Sequence, residues 1–199
     1  MTKALTDYVM VIDDALPERL TCTLLEEYLD SDEWMGTPEK LGGSPDGGYP
    51  ASVVLITHPK VTNKSALRQE ISRNVVKYLG NAFDKFHAKF SRREQGLNFL
   101  HIESLVGLRL LRYETGQYMV NHTDKYPDSD SNQVSWPAVT FTVNLNDNFT
   151  GGELKLLDGD IIFKAKARQG IFFPSNFMYP HAVEKVTSGT RYALAGWFR

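Results

Sequence analysis

The sequence predicts a mainly β fold with supporting α-helices (α+β): a jelly roll of short antiparallel strands backed by helices near the N-terminus. Three observations carry this reading. After about residue 102, short runs rich in Val, Ile, Phe, Thr and Tyr alternate with turn residues to the end of the chain. Before that point, two stretches repeat apolar residues at helical spacing. The 199 residues, 42% of them hydrophobic, suffice for one core and are too few for two domains of ordinary size. The expected organisation is a single domain over 1–199, with a strand and supporting helices over about 1–100 and the β core over about 101–199.

Taken in order, residues 8–13 form an apolar run of strand length. A helix follows from Asp14 or Leu16-Pro17, with Leu20, Leu24, Leu25, Tyr28 and Leu29 on one face. From Gly36 to Pro50 the chain holds five glycines and three prolines, which predicts a surface loop long enough to touch a substrate. A second helix is expected over about 64–90, where Leu67, Ile71, Val75, Tyr78, Leu79, Phe83 and Phe86 make one stripe, with a break near Gly80-Asn81. Strands are expected near 104–113, 118–122, 138–145, 153–157, 161–165, 170–173, 180–186 and 190–198. The polar loop 125–137 interrupts this set as a candidate lid.

Charge and cysteine content narrow the partners. With 22 Lys+Arg against 24 Asp+Glu, the formal charge of −2 offers no field for nucleic acid or for an anionic membrane surface, so neither is an expected partner. A single cysteine, Cys22, excludes an internal disulfide, and there is no secretory leader or long apolar span, which together point to the cytoplasm. Oligomeric state is open.

The chemistry-bearing residues lie in the second half. His122 and Asp124 close an apolar strand two residues apart, so they share a face and could grip one metal ion. His181, opening another strand among aromatics, is the best third ligand. Two imidazoles and one carboxylate with open positions suit non-haem Fe(II) and oxygen, although His-X-Asp alone is common by chance. Arg191 stands ten residues after His181, beyond a turn at Thr187-Ser188-Gly189, which places the two on neighbouring hairpin strands with matched inward parity. A guanidinium turned inward among Ala193, Leu194, Ala195, Trp197 and Phe198 needs an anion, either an internal carboxylate or a ligand; the alternative is that Arg191 points outward. His58, His87, His101 and Cys22 have no assigned role.

From Arg112 to the C-terminus the chain resembles the 2-oxoglutarate and Fe(II)-dependent oxygenases, and within them the prolyl 4-hydroxylase-like group. The matching pieces are Arg112-Tyr113, Gly116-Gln117-Tyr118, His122-X-Asp124, Leu145-Asn146, Gly151-Gly152-Glu153-Leu154, Gly170 leading to Phe173-Pro174, His181, Arg191 and Trp197. Two positions depart from many prolyl hydroxylases: Asn144 where Tyr is usual, and Leu154 where Thr is usual.

The resemblance implies a double-stranded β-helix in which His122, Asp124 and His181 hold Fe(II) as the catalytic centre and Arg191 binds the distal carboxylate of 2-oxoglutarate. It places Tyr113 against the co-substrate and Trp197 beside the metal, with a buried core aromatic as the alternative for each. The implied cofactors are Fe(II), 2-oxoglutarate as co-substrate and O2, with ascorbate as an optional reductant. The implied activity is hydroxylation of an unactivated C–H bond, foremost in a prolyl residue of a peptide or protein, with release of succinate and CO2. Two alternatives are a hydroxylase of a free amino acid or other small metabolite and, outside enzymes, a catalytically silent jelly-roll binding domain.

Overall fold

The computed structural model describes residues 4–35, 52–90, 104–124, 126–127, 134–135, 137–164 and 166–199. The loop expected at 36–50, most of the loop at 125–137 and His101 lie outside the described residues. In chain order the elements are β1 (Met10–Ile12), α1 (Glu18–Tyr28), β2 (Ser52–Val54), α2 (Pro59–Thr62), α3 (Ala66–Phe90), β3 (Leu105–Tyr113), β4 (Met119–His122), β5 (Tyr126–Pro127) and β6 (Val134–Ser135). They continue with β7 (Val139–Asn144), β8 (Thr150–Gly151), β9 (Leu154–Leu156), β10 (Ile161–Phe163), β11 (Gly170–Pro174), β12 (His181–Val183), β13 (Val186–Ser188) and β14 (Arg191–Phe198).

Two antiparallel sheets make the body. The larger has the order β1-β11-β7-β14-β3-β2 and the smaller β10-β9-β12-β4, the jelly-roll arrangement of a double-stranded β-helix. β1 and β2, both from the N-terminal half, form the two edges of the larger sheet. That half therefore contributes strands to the β core as well as helices. The reason is local: Met10–Ile12 and Ser52–Val54 are short apolar runs that can bury only by pairing with β11 and β3.

Each face of the larger sheet is covered. On one side, Leu24 and Tyr28 of α1 and Ile71, Val75, Leu79, Phe83 and Phe86 of α3 pack with Leu108, Phe141, Phe172, Leu194 and Phe198 of the sheet. Phe83 stacks on Phe198 with centroids 4.3 Å apart. On the other side, Leu111, Tyr113, Ile171 and Phe173 meet Leu154, Leu156 and Val183 of the smaller sheet. α3 runs unbroken through Gly80, where a break was expected: a lone helical glycine costs only about 1 kcal/mol, and the buried stripe on either side outweighs it. The strand expected at 180–186 divides, because after Val183 the chain leaves β9 and Val186–Ser188 pairs instead with β8.

α1 and α3 are also tied by charge. Arg68, buried on α3, bonds Glu27 at 2.6 Å and pairs with Glu33, while its guanidinium lies 4.9 Å from the Tyr28 ring centre. Burial alone would raise the Glu33 carboxyl, but hydrogen bonds from Lys64, Ser31 and Arg68 outweigh it and hold it at about 2, down from 4.5. A depressed folded-state value gives stability that is full above about pH 4.5 and is lost as pH falls toward 2. Urea titrations at pH 5 and pH 3 should show this loss in the wild type and a shallower one in Glu33→Gln.

Candidate active site

β4 and β12 are neighbours in the smaller sheet, with His122 directly opposite His181. Their ring centres are 4.3 Å apart, and Asp124 lies just past the end of β4. Ligand atoms of His122, Asp124 and His181 all fall within 4.8 Å of one another. His122 Nε2 is 3.7 Å from Asp124 Oδ1, and His181 Nε2 is 3.6 Å from Asp124 Oδ2.

The tautomers follow from the partners. His122 Nδ1 meets the Val120 carbonyl at 2.8 Å and His181 Nδ1 meets the Tyr179 carbonyl at 3.1 Å. A carbonyl can only accept, so each Nδ1 carries a proton and each Nε2, the lone-pair nitrogen of the neutral ring, faces Asp124. Burial lowers the proton affinity of His181, partly opposed by Asp124, which favours the neutral ring. For Asp124, burial pushes the carboxyl up, but His181 and hydrogen bonds from Thr140 and Trp197 outweigh this and keep it below its usual range. The cluster thus presents two imidazole lone pairs and one carboxylate, the donor set of a facial two-histidine, one-carboxylate site.

Arg191 opens β14, in the opposite sheet, paired across to Tyr113. It is therefore not on a hairpin partner of the His181 strand, as the spacing had suggested; β13 intervenes and carries the chain across to the larger sheet. Arg191 is 2% exposed. Its Nε and Nη2 donate to Asn144 Oδ1 at 3.1 and 2.8 Å, and its guanidinium lies 5.1 Å from the Tyr113 ring centre. Burial raises the Tyr113 phenol above its usual value against the pull of Arg191 and Arg109. Among the described residues no carboxylate pairs with Arg191.

Trp197 lies near the other end of β14, close enough to Asp124 to help keep its carboxyl low, and is covered on its ring face by the Arg109 guanidinium at 4.1 Å. Close approach of Trp197 to β3 needs Gly107, which has φ +61° and whose absent Cβ would stand 2.5 Å from the ring. Between Arg191 and Trp197 the same face of β14 carries only Ala193 and Ala195, so small side chains separate the cation from the aromatic.

Three polar residues escaped the sequence reading of the site. Thr140, Ser175 and Asn144 are all buried here, Asn144 having been noted only as a departure from a family pattern. Thr140, Thr142 and Asn144 alternate with Val139, Phe141 and Val143, a pattern that ordinarily signals one solvated face. His58 caps α2 by accepting from Lys60 N, His87 stacks on Phe83, and Cys22 is exposed on α1. No helix of the described residues is long and apolar enough to cross a membrane.

Residues 108–199 match the family model described as 2OG-Fe(II) oxygenase superfamily. That segment, a little under half of the chain, is similar to the members of this superfamily. A PKHD-type hydroxylase of Rippkaea orientalis is 38% identical over 91 residues, 43% of this chain and 39% of that protein. The chain thus spans well under half the length of that relative. A PKHD-type hydroxylase of Acaryochloris marina is 27% identical over 192 residues, 95% of this chain and 77% of that protein. Among solved structures, a prolyl hydroxylase of Trichoplax adhaerens, in complex with a hypoxia inducible factor oxygen degradation domain peptide fragment, superimposes with TM-score 0.68 at 19% identity. It covers 97% of this chain and 84% of its own, and the likeness speaks to the fold.

Fe(II), 2-oxoglutarate and O2 are the cofactor and co-substrates that go with this superfamily, and the donors present fit them: two imidazoles, a carboxylate and a buried guanidinium. A Gly107→Ala variant should lose about 2 kcal/mol or more through strain at positive φ and collision with the Trp197 ring, read as a lowered thermal midpoint.

Proposed function

We propose that the protein is an Fe(II)- and 2-oxoglutarate-dependent dioxygenase that hydroxylates an unactivated C–H bond of a prolyl residue in a peptide or protein. His122, Asp124 and His181 hold the metal, and Arg191 holds the distal carboxylate of 2-oxoglutarate. The observation that carries this reading is the pairing of that His-Asp-His cluster with a fully buried guanidinium in the same barrel interior. A buried cation without a carboxylate partner among the described residues is costly, and a dicarboxylate ligand relieves the cost.

Bound Fe(II) with 2-oxoglutarate supplies the activation of O2 and the oxidation of the C–H bond, the co-acid leaving as succinate and CO2. The chain supplies the rest. Asn144 Oδ1 takes Nε–H and one Nη2–H of Arg191, which leaves the remaining N–H groups to grip a carboxylate. Tyr113 packs on the same guanidinium and fixes its plane. Ala193 and Ala195 put only small side chains on the face of β14 next to Arg191, and Phe173, edge-on to His181 at 5.0 Å, helps to exclude water.

Support for a peptide substrate comes from the prolyl hydroxylase whose fold this chain shares, which carries a peptide, and from the PKHD-type hydroxylases it resembles. The deciding assay supplies Fe(II), 2-oxoglutarate and O2 with pools of proline-containing peptides and, separately, free amino acids and small metabolites. It reads succinate and a one-oxygen mass gain. Oxidised peptide is expected; oxidation confined to the small molecules would replace the peptide assignment, and no succinate from any pool would count against an enzyme.

Two variants test the site itself. His122→Ala or Asp124→Ala should abolish Fe(II) binding while leaving the thermal midpoint measurable. Arg191→Ala should leave metal binding in place and weaken 2-oxoglutarate by about 10- to 100-fold, the size expected for charge-assisted hydrogen bonds in a dry site. Equal binding of metal and co-acid by wild type and variants would overturn the residue assignment.

A further inference from the structure

Asp124 is held from behind by a pair of buried hydroxyls. Thr140 Oγ1 donates to Asp124 Oδ2 at 2.6 Å, and Thr140 Oγ1 in turn bonds Ser175 Oγ. Thr140 and Ser175 are 6% and 3% exposed, so bulk water does not compete for these groups. The polarity of the chain of bonds follows from the chemistry. An ionised carboxylate only accepts, so the single Thr140 proton goes to Asp124, and Ser175 must then donate to Thr140. Hydrogen bonds aligned in this sense strengthen one another. Both hydroxyls sit on well-fixed backbone: Thr140 lies in β7 opposite Phe173 of β11, and Ser175 follows β11 with its N–H on the Ala138 carbonyl at 3.1 Å.

We propose that Thr140 and Ser175 are positioning residues, a two-hydroxyl relay that engages Asp124 Oδ2, holds the carboxylate against rotation and so favours its binding a metal ion through one oxygen rather than two. The inference rests on the reading of His122, Asp124 and His181 as the metal site. Its consequence is coordinative. A carboxylate free to turn can take the ion with both oxygens and consume a position that the co-acid or O2 needs, whereas one pinned at Oδ2 leaves that position open.

The test uses the full chain and Co(II) alone, which binds without turnover and has visible ligand-field bands sensitive to coordination number. Thr140→Val keeps the branched shape and removes the hydroxyl. It should weaken Co(II) by about 10- to 100-fold, the range for loss of an outer-sphere partner of a metal ligand, and alter the bands in the sense of a higher coordination number. Thr140→Ser restores the hydroxyl and should return affinity and spectrum close to wild type. Ser175→Ala, which removes only the second bond, should cost about 3- to 10-fold and carries the test if Thr140→Val does not fold. Wild-type affinity and spectrum in Thr140→Val, or in Ser175→Ala where that variant stands in, overturn the relay. A Thr140→Ser protein as impaired as Thr140→Val also overturns it, since shape rather than the hydroxyl would then be at work. A wild type that binds no Co(II), or a His122→Ala variant that binds it undiminished, overturns the metal-site reading beneath it as well.

Discussion

The alternation of side chains along β14 is the constraint on which the rest of the molecule depends. This strand is hydrogen-bonded on both sides, to β3 and to β7, so its register is pinned along its length. Leu194 and Phe198 face the helices and anchor the strand in the larger core, with Tyr192 packed against it. Arg191, Ala193, Ala195 and Trp197 then face the barrel interior by period-two geometry. A slip of one residue would put the cation among the phenylalanines and leave Leu194 and Phe198 in the interior. The apolar packing of α1 and α3 on the sheet therefore sets which way Arg191 points.

Electrostatics in the interior are local. A chain with a net charge of −2 has no global field to draw in a dicarboxylate. On the proposed reading the attraction would come from one buried guanidinium, bonded to the Asn144 carbonyl, set beside the Tyr113 ring and without a carboxylate partner among the described residues. Around the His122, Asp124 and His181 cluster, the carbonyls of Val120 and Tyr179 bond the two imidazoles, and Thr140, itself bonded to Ser175, bonds the carboxylate. Each group that would touch a ligand is thus held by a further group of the chain, and this is the condition for a site to be formed before its ligand arrives.

Much of this was legible in the chain. Turn residues between apolar runs mark the strands, and helical spacing of Leu, Val and Phe marks α1 and α3, because both patterns reflect which face must be buried. His122 and Asp124 are legible as a pair because residues two apart on an extended chain share a face. The division of the expected strand at 180–186 was not legible, since its cause is competition between β9 and β8 for the same backbone groups. The polar residues of β7 were misleading for a related reason: Thr140, Thr142 and Asn144 alternate with apolar neighbours as on a solvated sheet, yet all six residues of the strand are buried. Their polar face looks into a barrel interior that exists only once the second sheet closes over it.

By itself, then, the sequence determined the element types, the inward parity of the metal-ligand candidates and the presence of a cation in an apolar strand, because these depend on local periodicity and residue chemistry. Tertiary structure decided the pairings over long separations: His122 opposite His181, Arg191 bonded to Asn144, and Thr140 bonded to both Asp124 and Ser175. It also put Arg191 and His181 in opposite sheets rather than on adjacent strands. The physical reason is that strand order in a jelly roll follows from how two sheets bury their shared faces, and separation along the chain carries no record of that choice.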